Sequence, residues 1–193
     1  MHPAVPGTAL TTADGTPGLQ GEYFEGTEFN TLKGRRVDAV LDFDWGENPP
    51  MEGLPQHNWS ARWTGFISVP QDGEFTFSLY SDDGARMWVG DEALVDNWRV
   101  QAPMTLSAQQ TVAMEANRKY PIRVEYFQGG GGAALRLGVK RPGATYTPGT
   151  MSPDFMPNMS MLFALRHHYE YTGDTRILDL MKRYFQWQLR VPD

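Results

Sequence analysis

Between Gly73 and Val89 large apolar residues fall on every second position. Phe75, Phe77 and Leu79 alternate with Glu74, Thr76 and Ser78, and after an interruption at Ser81-Asp82-Asp83-Gly84 the alternation resumes at Ala85, Met87 and Val89. A period of two places successive side chains on opposite faces of an extended backbone, so this stretch reads as β-strand with one face buried and one wet. Asp and Gly are favoured in turns, and the interruption is therefore predicted to be the tip of a hairpin carrying two carboxylates. Adjacent aspartates repel each other. Either water screens them in an ordinary Asp-Gly turn, or a cation lies between them, and calcium suits that place because it accepts several oxygen ligands in a loose geometry.

The same period recurs along the chain. Gly18 to Phe24, Ala39 to Trp45 and Asn58 to Val69 read as strands, as do Ala93 to Val95, Gln110 to Met114, Tyr120 to Phe127 and Leu135 to Val139. Gly and Pro clusters separate them, with GENPPMEGLPQH at 46–57 the longest loop. Many short strands between such turns predict a mainly β fold, an antiparallel β-sandwich, over 18–140. Residues 1–17, rich in Pro, Thr, Gly and Ala without periodicity, are expected to be a flexible leader, and 141–153 a linker.

Beyond the linker the period changes. Met159, Leu162, Phe163 and Arg166 follow helical spacing, Gly173 can end that helix in a left-handed cap, and Asp174 can cap a second helix bearing Ile177, Leu180, Met181, Tyr184 and Trp187. Residues 154–193 are thus expected to form a C-terminal helical hairpin. The second helix also carries Leu178, Phe185 and Leu189, more apolar surface than one partner helix covers, which predicts that the hairpin is part of a larger α-helical domain.

Charge and composition remove several function classes. A net charge of −6 over 193 residues argues against a nucleic-acid partner, which calls for a basic contact face. With no cysteine, neither a thiolate metal site nor a cysteine nucleophile is available. No stretch approaches the roughly 20 apolar residues of a membrane span, and the first residues lack the pattern of a signal peptide. An extracellular or periplasmic location would thus need an export signal outside this chain.

Five blocks carry a family resemblance: Gly18 to Phe24, Arg62-Trp63-Thr64-Gly65, Gly73 to Phe77, Ser81 to Val89, and Tyr120 to Tyr126. In this order they resemble the toxin protective-antigen domain family, the PA-fourteen type, a β-sandwich module of glycosidases, adhesins and toxins that commonly recognises carbohydrate. The resemblance implies that Asp82 and Asp83 are joined by a cis peptide and hold Ca2+, which in turn holds sugar hydroxyls. It implies a third ligand at Gln128, where the family's adhesins usually have asparagine. Gly129 and Gly130, in the four-glycine run that follows, let the backbone approach an ion or sugar. Pro157-Asn158-Met159, Tyr169 to Asp174 and Arg183-Tyr184-Phe185 resemble early helices of six-hairpin glycoside hydrolases that include β-L-arabinofuranosidases. That implies an adjoining helical catalytic domain.

Most tryptophans of a sandwich are core residues, because large aromatics each bury on the order of 150–250 Å². Among Trp45, Trp59, Trp63, Trp88 and Trp98, the last follows Asp96 and Asn97 in a loop and is the candidate for stacking on a sugar. The acidic pairs Asp42/Asp44 and Asp91/Glu92 read as ordinary exposed strand residues and not as a glycosidase pair. His167 and His168 point about 100° apart on a helix and do not make a metal pair. The chain is accordingly expected to be a non-catalytic module that binds a glycan or polysaccharide for a carbohydrate-active enzyme. The alternative is a structural domain that braces the adjoining glycoside hydrolase, with the aspartates only shaping a turn.

Overall fold

A computed structural model of the chain describes residues 4–140 and 165–181. The first span forms two antiparallel sheets. The larger contains β1 (Leu10–Thr11), β2 (Leu19–Glu25), β3 (Thr31–Asp38), β5 (Trp59–Ile67), β7 (Ala85–Val89), β8 (Glu92–Asn97) and β11 (Tyr120–Gln128). Its strand order is β3-β2-β5-β11-β7-β8, with β1 beside β5. The smaller contains β4 (Asp42–Gly46), β6 (Gly73–Asp82), β9 (Met104–Ser107), β10 (Val112–Met114) and β12 (Ala133–Lys140), in the order β10-β6-β12-β4 with β9 also on β6. The mainly β, antiparallel sandwich expected from the alternation is the fold observed.

Alternation sets the core. Phe75, Phe77 and Leu79 of β6 and Leu135 and Leu137 of β12 face Tyr23, Trp59, Trp63 and Tyr126 of the large sheet, all buried. The outward residues of the large sheet form a row of alternating charge. By register Arg35, Glu22, Arg62, Glu125, Arg86 and Asp96 stand one per strand from β3 to β8. Glu125, only 4% exposed, sits between Arg62 at 2.8 Å and Arg86 at 3.0 Å.

The strands on either side of Ser81 to Gly84 do not form the expected hairpin. β6 pairs with β12, β9 and β10 in the small sheet, whereas β7 pairs with β11 and β8 in the large one. Asp83 and Gly84 are therefore an arch from one sheet to the other. An inward alternation is the same whether two strands lie side by side or face each other across a core, so the period cannot separate the two.

The expected flexible leader is also corrected, for residues 4–17. Val5, Ala9 and Leu10 are buried, a 3-10 turn at Gly7–Ala9 lies among them, and β1 pairs with the far end of β5. Three apolar anchors and a short pairing hold this segment, too sparse to show as periodicity. The expected linker, 141–153, lies outside the described residues, as do much of the first helix and the end of the second. Residues 165–172 and 176–181 are helical as expected. Gly173, at φ 68°, closes the first with its N–H on the Tyr169 carbonyl at 2.8 Å, and Asp174 Oδ1 caps the second by accepting from Arg176 N at 3.0 Å. Tyr171 packs against the core and donates to the Ser68 carbonyl at 3.2 Å; burial pushes its phenol up to about 12.

Candidate functional site

Three connections meet where β6 ends: the 83–84 arch, the 98–103 loop between β8 and β9, and the 129–132 loop between β11 and β12. The glycine after the aspartates permits this approach. A Cβ on Gly84 would stand 2.2 Å from the Phe127 ring and 2.9 Å from the Arg99 amide nitrogen. Phe127 N in turn donates to the Gly84 carbonyl at 3.0 Å, which ties the arch to β11.

Asp83 is the knot of the three loops. It is 1% exposed, and its Oδ1 accepts from the backbone N–H of Gln101 at 3.0 Å. Its Oδ2 accepts from Gly129 N at 2.9 Å and Gly130 N at 3.5 Å. The Gln101 side chain reinforces the tie, since its Nε2 donates to the Asp83 carbonyl and the Ser81 hydroxyl, both at 3.2 Å. Asn97 Nδ2 donates to Gln101 Oε1 and fixes that amide. Gln101 escaped the sequence reading, because a lone glutamine in a loop carries no spacing or pattern that marks it.

Asp82 differs from its neighbour, to which a cis peptide joins it. Its side chain is half-buried on the outer face of the small sheet. Burial first and the Asp83 charge second push its carboxyl above the ordinary range. Its backbone carbonyl accepts from the Tyr126 hydroxyl, which lies 3.1 Å from Gln128 Oε1. Burial pushes the Tyr126 phenol far up, so it remains a neutral donor.

Gln128 lies beneath the glycine loop, fully buried, and its Nε2 donates to the Gly131 carbonyl at 3.0 Å. The amide thus shapes the loop, and what it can offer an ion is the second lone pair of Oε1. Gly129 and Gly130 approach Asp83 through their N–H groups. Gly131, at φ 78°, turns the loop in the left-handed region.

Trp98 stands on the outer face of the large sheet and is half-buried. Its Nε1 donates to Glu28 Oε1 at 2.8 Å, Arg86 lies over its ring at 4.0 Å, and Phe29 and Phe127 pack on it at 5.5 and 4.8 Å. With neighbours on several sides, it has its rim to offer a ligand. Of the other tryptophans, Trp59 and Trp63 are core, Trp45 packs against the core, and Trp88 lies under the Arg123 guanidinium at 3.9 Å. Asp42 pairs with Arg136 at 2.5 Å, and Asp91 and Glu92 are exposed, as are His167 and His168.

Among the described residues no three His, Cys, Asp or Glu side chains converge on one point. An ion at the arch would therefore take two carboxylates and complete its shell with carbonyl oxygens and water, a donor set of hard oxygens that suits calcium. A carboxylate has about four lone-pair directions; Asp83 has given three to N–H groups, and the Asp82 carboxylate accepts no hydrogen bond from the described residues.

A family model described as the PA14 domain matches residues 15–149. The anti-sigma-I factor RsgI3 of Acetivibrio thermocellus is 37% identical over 128 residues, 66% of this chain and 20% of that protein. An anti-sigma factor domain-containing protein from Clostridium clariflavum shares the fold at a TM-score of 0.64 and 29% identity, over 74% of this chain and 48% of that one. A PA14 sugar-binding domain from an RTX adhesin superposes at a TM-score of 0.54 and 17% identity, over 67% of this chain and 93% of that domain. The chain thus spans a fifth of the curated relative and about half of the first solved structure.

Proposed function

This chain belongs to the PA14 domain family, and from that premise we propose that it is a non-catalytic carbohydrate-binding module whose Asp82–Asp83 arch holds calcium and, through it, sugar hydroxyls. One observation carries the reading: a carboxylate without a cation partner among the described residues stands beside a second that three loops hold. The charge of a bound ion would relieve the repulsion between them. The adhesin domain of the same fold, described as sugar-binding, supports the reading. On this view the module acts outside the cell or in the periplasm and directs a glycan-degrading partner to its polymer.

A second reading is favoured by a different observation. Asp83 already ties three loops through backbone N–H groups, and Tyr171 joins the helical residues to the sandwich. In that case the module braces a helical neighbour and binds no sugar. A glycan array probed with the full chain in calcium and again in chelator separates the two. Retention in calcium that chelator abolishes is expected, and absence of any bound glycan in both conditions would leave the bracing role.

A further inference from the structure

Asp82 also forms one wall of a recess of about 260 Å³ on the outer face of the small sheet. Strand register explains it. Ala134 of β12 pairs with Asp82 on one side and Asp44 on the other, so a methyl group lies between two longer side chains. In the next row Arg136 pairs with Tyr80 and Asp42, and Pro103 and Gly132 reach the rim from the two loops of the candidate site. The result is a notch floored by Ala134 and walled by Asp44, Asp82, Tyr80 and Arg136, directly beside the arch.

Its chemistry is that of a ring with many hydroxyls. Asp44 and Asp82 accept hydrogen bonds, the half-buried Tyr80 offers an apolar surface for ring C–H groups, and Arg136 donates. Arg136 is already paired with Asp42 at 2.5 Å, so the lining remains negative. The volume lies just below the range of drug-sized ligand pockets, suited to one ring and not a chain. We infer that the notch over Ala134 is a second sugar subsite, which takes the neutral ring linked to the one at Asp82–Asp83 and rejects a uronic acid. A uronate carboxylate would face Asp44, whose charge an ion at Asp82–Asp83 does not offset. This subsite rests on the proposed function.

Ala134 lies on the outer face, so Ala134→Met fills the notch without entering the core and leaves both aspartates in place. The test titrates the full chain in calcium with glucose, galactose, mannose, xylose and arabinose. It then uses the 1,3- and 1,4-linked disaccharides of whichever binds, and the same disaccharides with a uronic acid as second ring. A neutral disaccharide is expected to bind about tenfold tighter than its monosaccharide, and the uronate form to gain nothing. Ala134→Met should erase the gain without changing monosaccharide affinity, and Tyr80→Ala should reduce it. Equal affinity for one ring and two in the parent, or an undiminished gain in both variants, overturns the subsite and leaves the calcium-held sugar standing. Failure of the parent to bind any of these sugars overturns the reading beneath it and the subsite together.

Discussion

Two regions of this sandwich bury acidic groups, and they treat them in opposite ways. Asp38, 7% exposed, accepts at Oδ2 from the Tyr23 hydroxyl at 2.6 Å and Trp63 Nε1 at 2.7 Å, while Arg36 pairs with Oδ1 at 2.7 Å. Glu125 likewise has Arg62 and Arg86. In each case the fold supplies its own cation. At the arch two acids are adjacent, and the described residues supply N–H groups to one and no cation to the other. A buried charge is tolerated when paired, so an acid with its own arginine belongs to the architecture, while an acid pair without one is suited to a cation from outside.

Removing the charge on each side should break the comparison or sharpen it. Asp38→Ala leaves the buried Tyr23 hydroxyl and Trp63 N–H without an acceptor and should cost about 3 kcal/mol in denaturant unfolding. Glu125→Gln leaves Arg62 and Arg86 without their counter-charge; both are partly solvated, and a loss of about 2 kcal/mol by the same measurement is expected. Asp82→Asn should instead change calcium-free stability by no more than about 0.5 kcal/mol, in the stabilising direction, because it removes a like-charge neighbour. A large loss there would place Asp82 with the architectural acids.

The pH dependence gives the smallest effect and the clearest sign. The folded-state value of Asp82 lies above the ordinary 3.8, so the protein binds its proton more readily folded than unfolded. Its ionised form weakens the fold at neutral pH, and that weakness disappears as pH falls through the folded-state value toward 3.8. In chelator, the advantage of Asp82→Asn over the parent should therefore shrink from pH 7 to pH 4, read from paired unfolding midpoints. A widening gap would mean that the carboxylate is stabilised by a partner inside the fold.

Most of the sandwich was legible because its central strands bury one face. β5, β6, β11 and β12 carry large residues at alternate positions, and the structure uses them as read. The edges were not legible. β3, Thr31–Asp38, is largely polar, and β9, Met104–Ser107, is short and exposed, so neither offers a buried face to detect. The arch was mistaken for a hairpin because inward-facing residues have one period in both. Asp82 and Asp83 stood out as adjacent like charges in a turn and through the family's blocks. Gln101 did not, since its role consists of hydrogen bonds to residues about twenty positions away, which the structure alone brings together.

The central claim is that the arch is a place for calcium, and a calorimetric calcium titration of the full chain beside Asp82→Asn tests it most directly. Asp82 is the better position to change than Asp83, whose loss would also release the loops at Gln101 and Gly129. The account expects saturable binding of one ion in the parent and none in a variant with unchanged unfolding midpoint in chelator. No binding by the parent, or equal binding by both proteins, would contradict it.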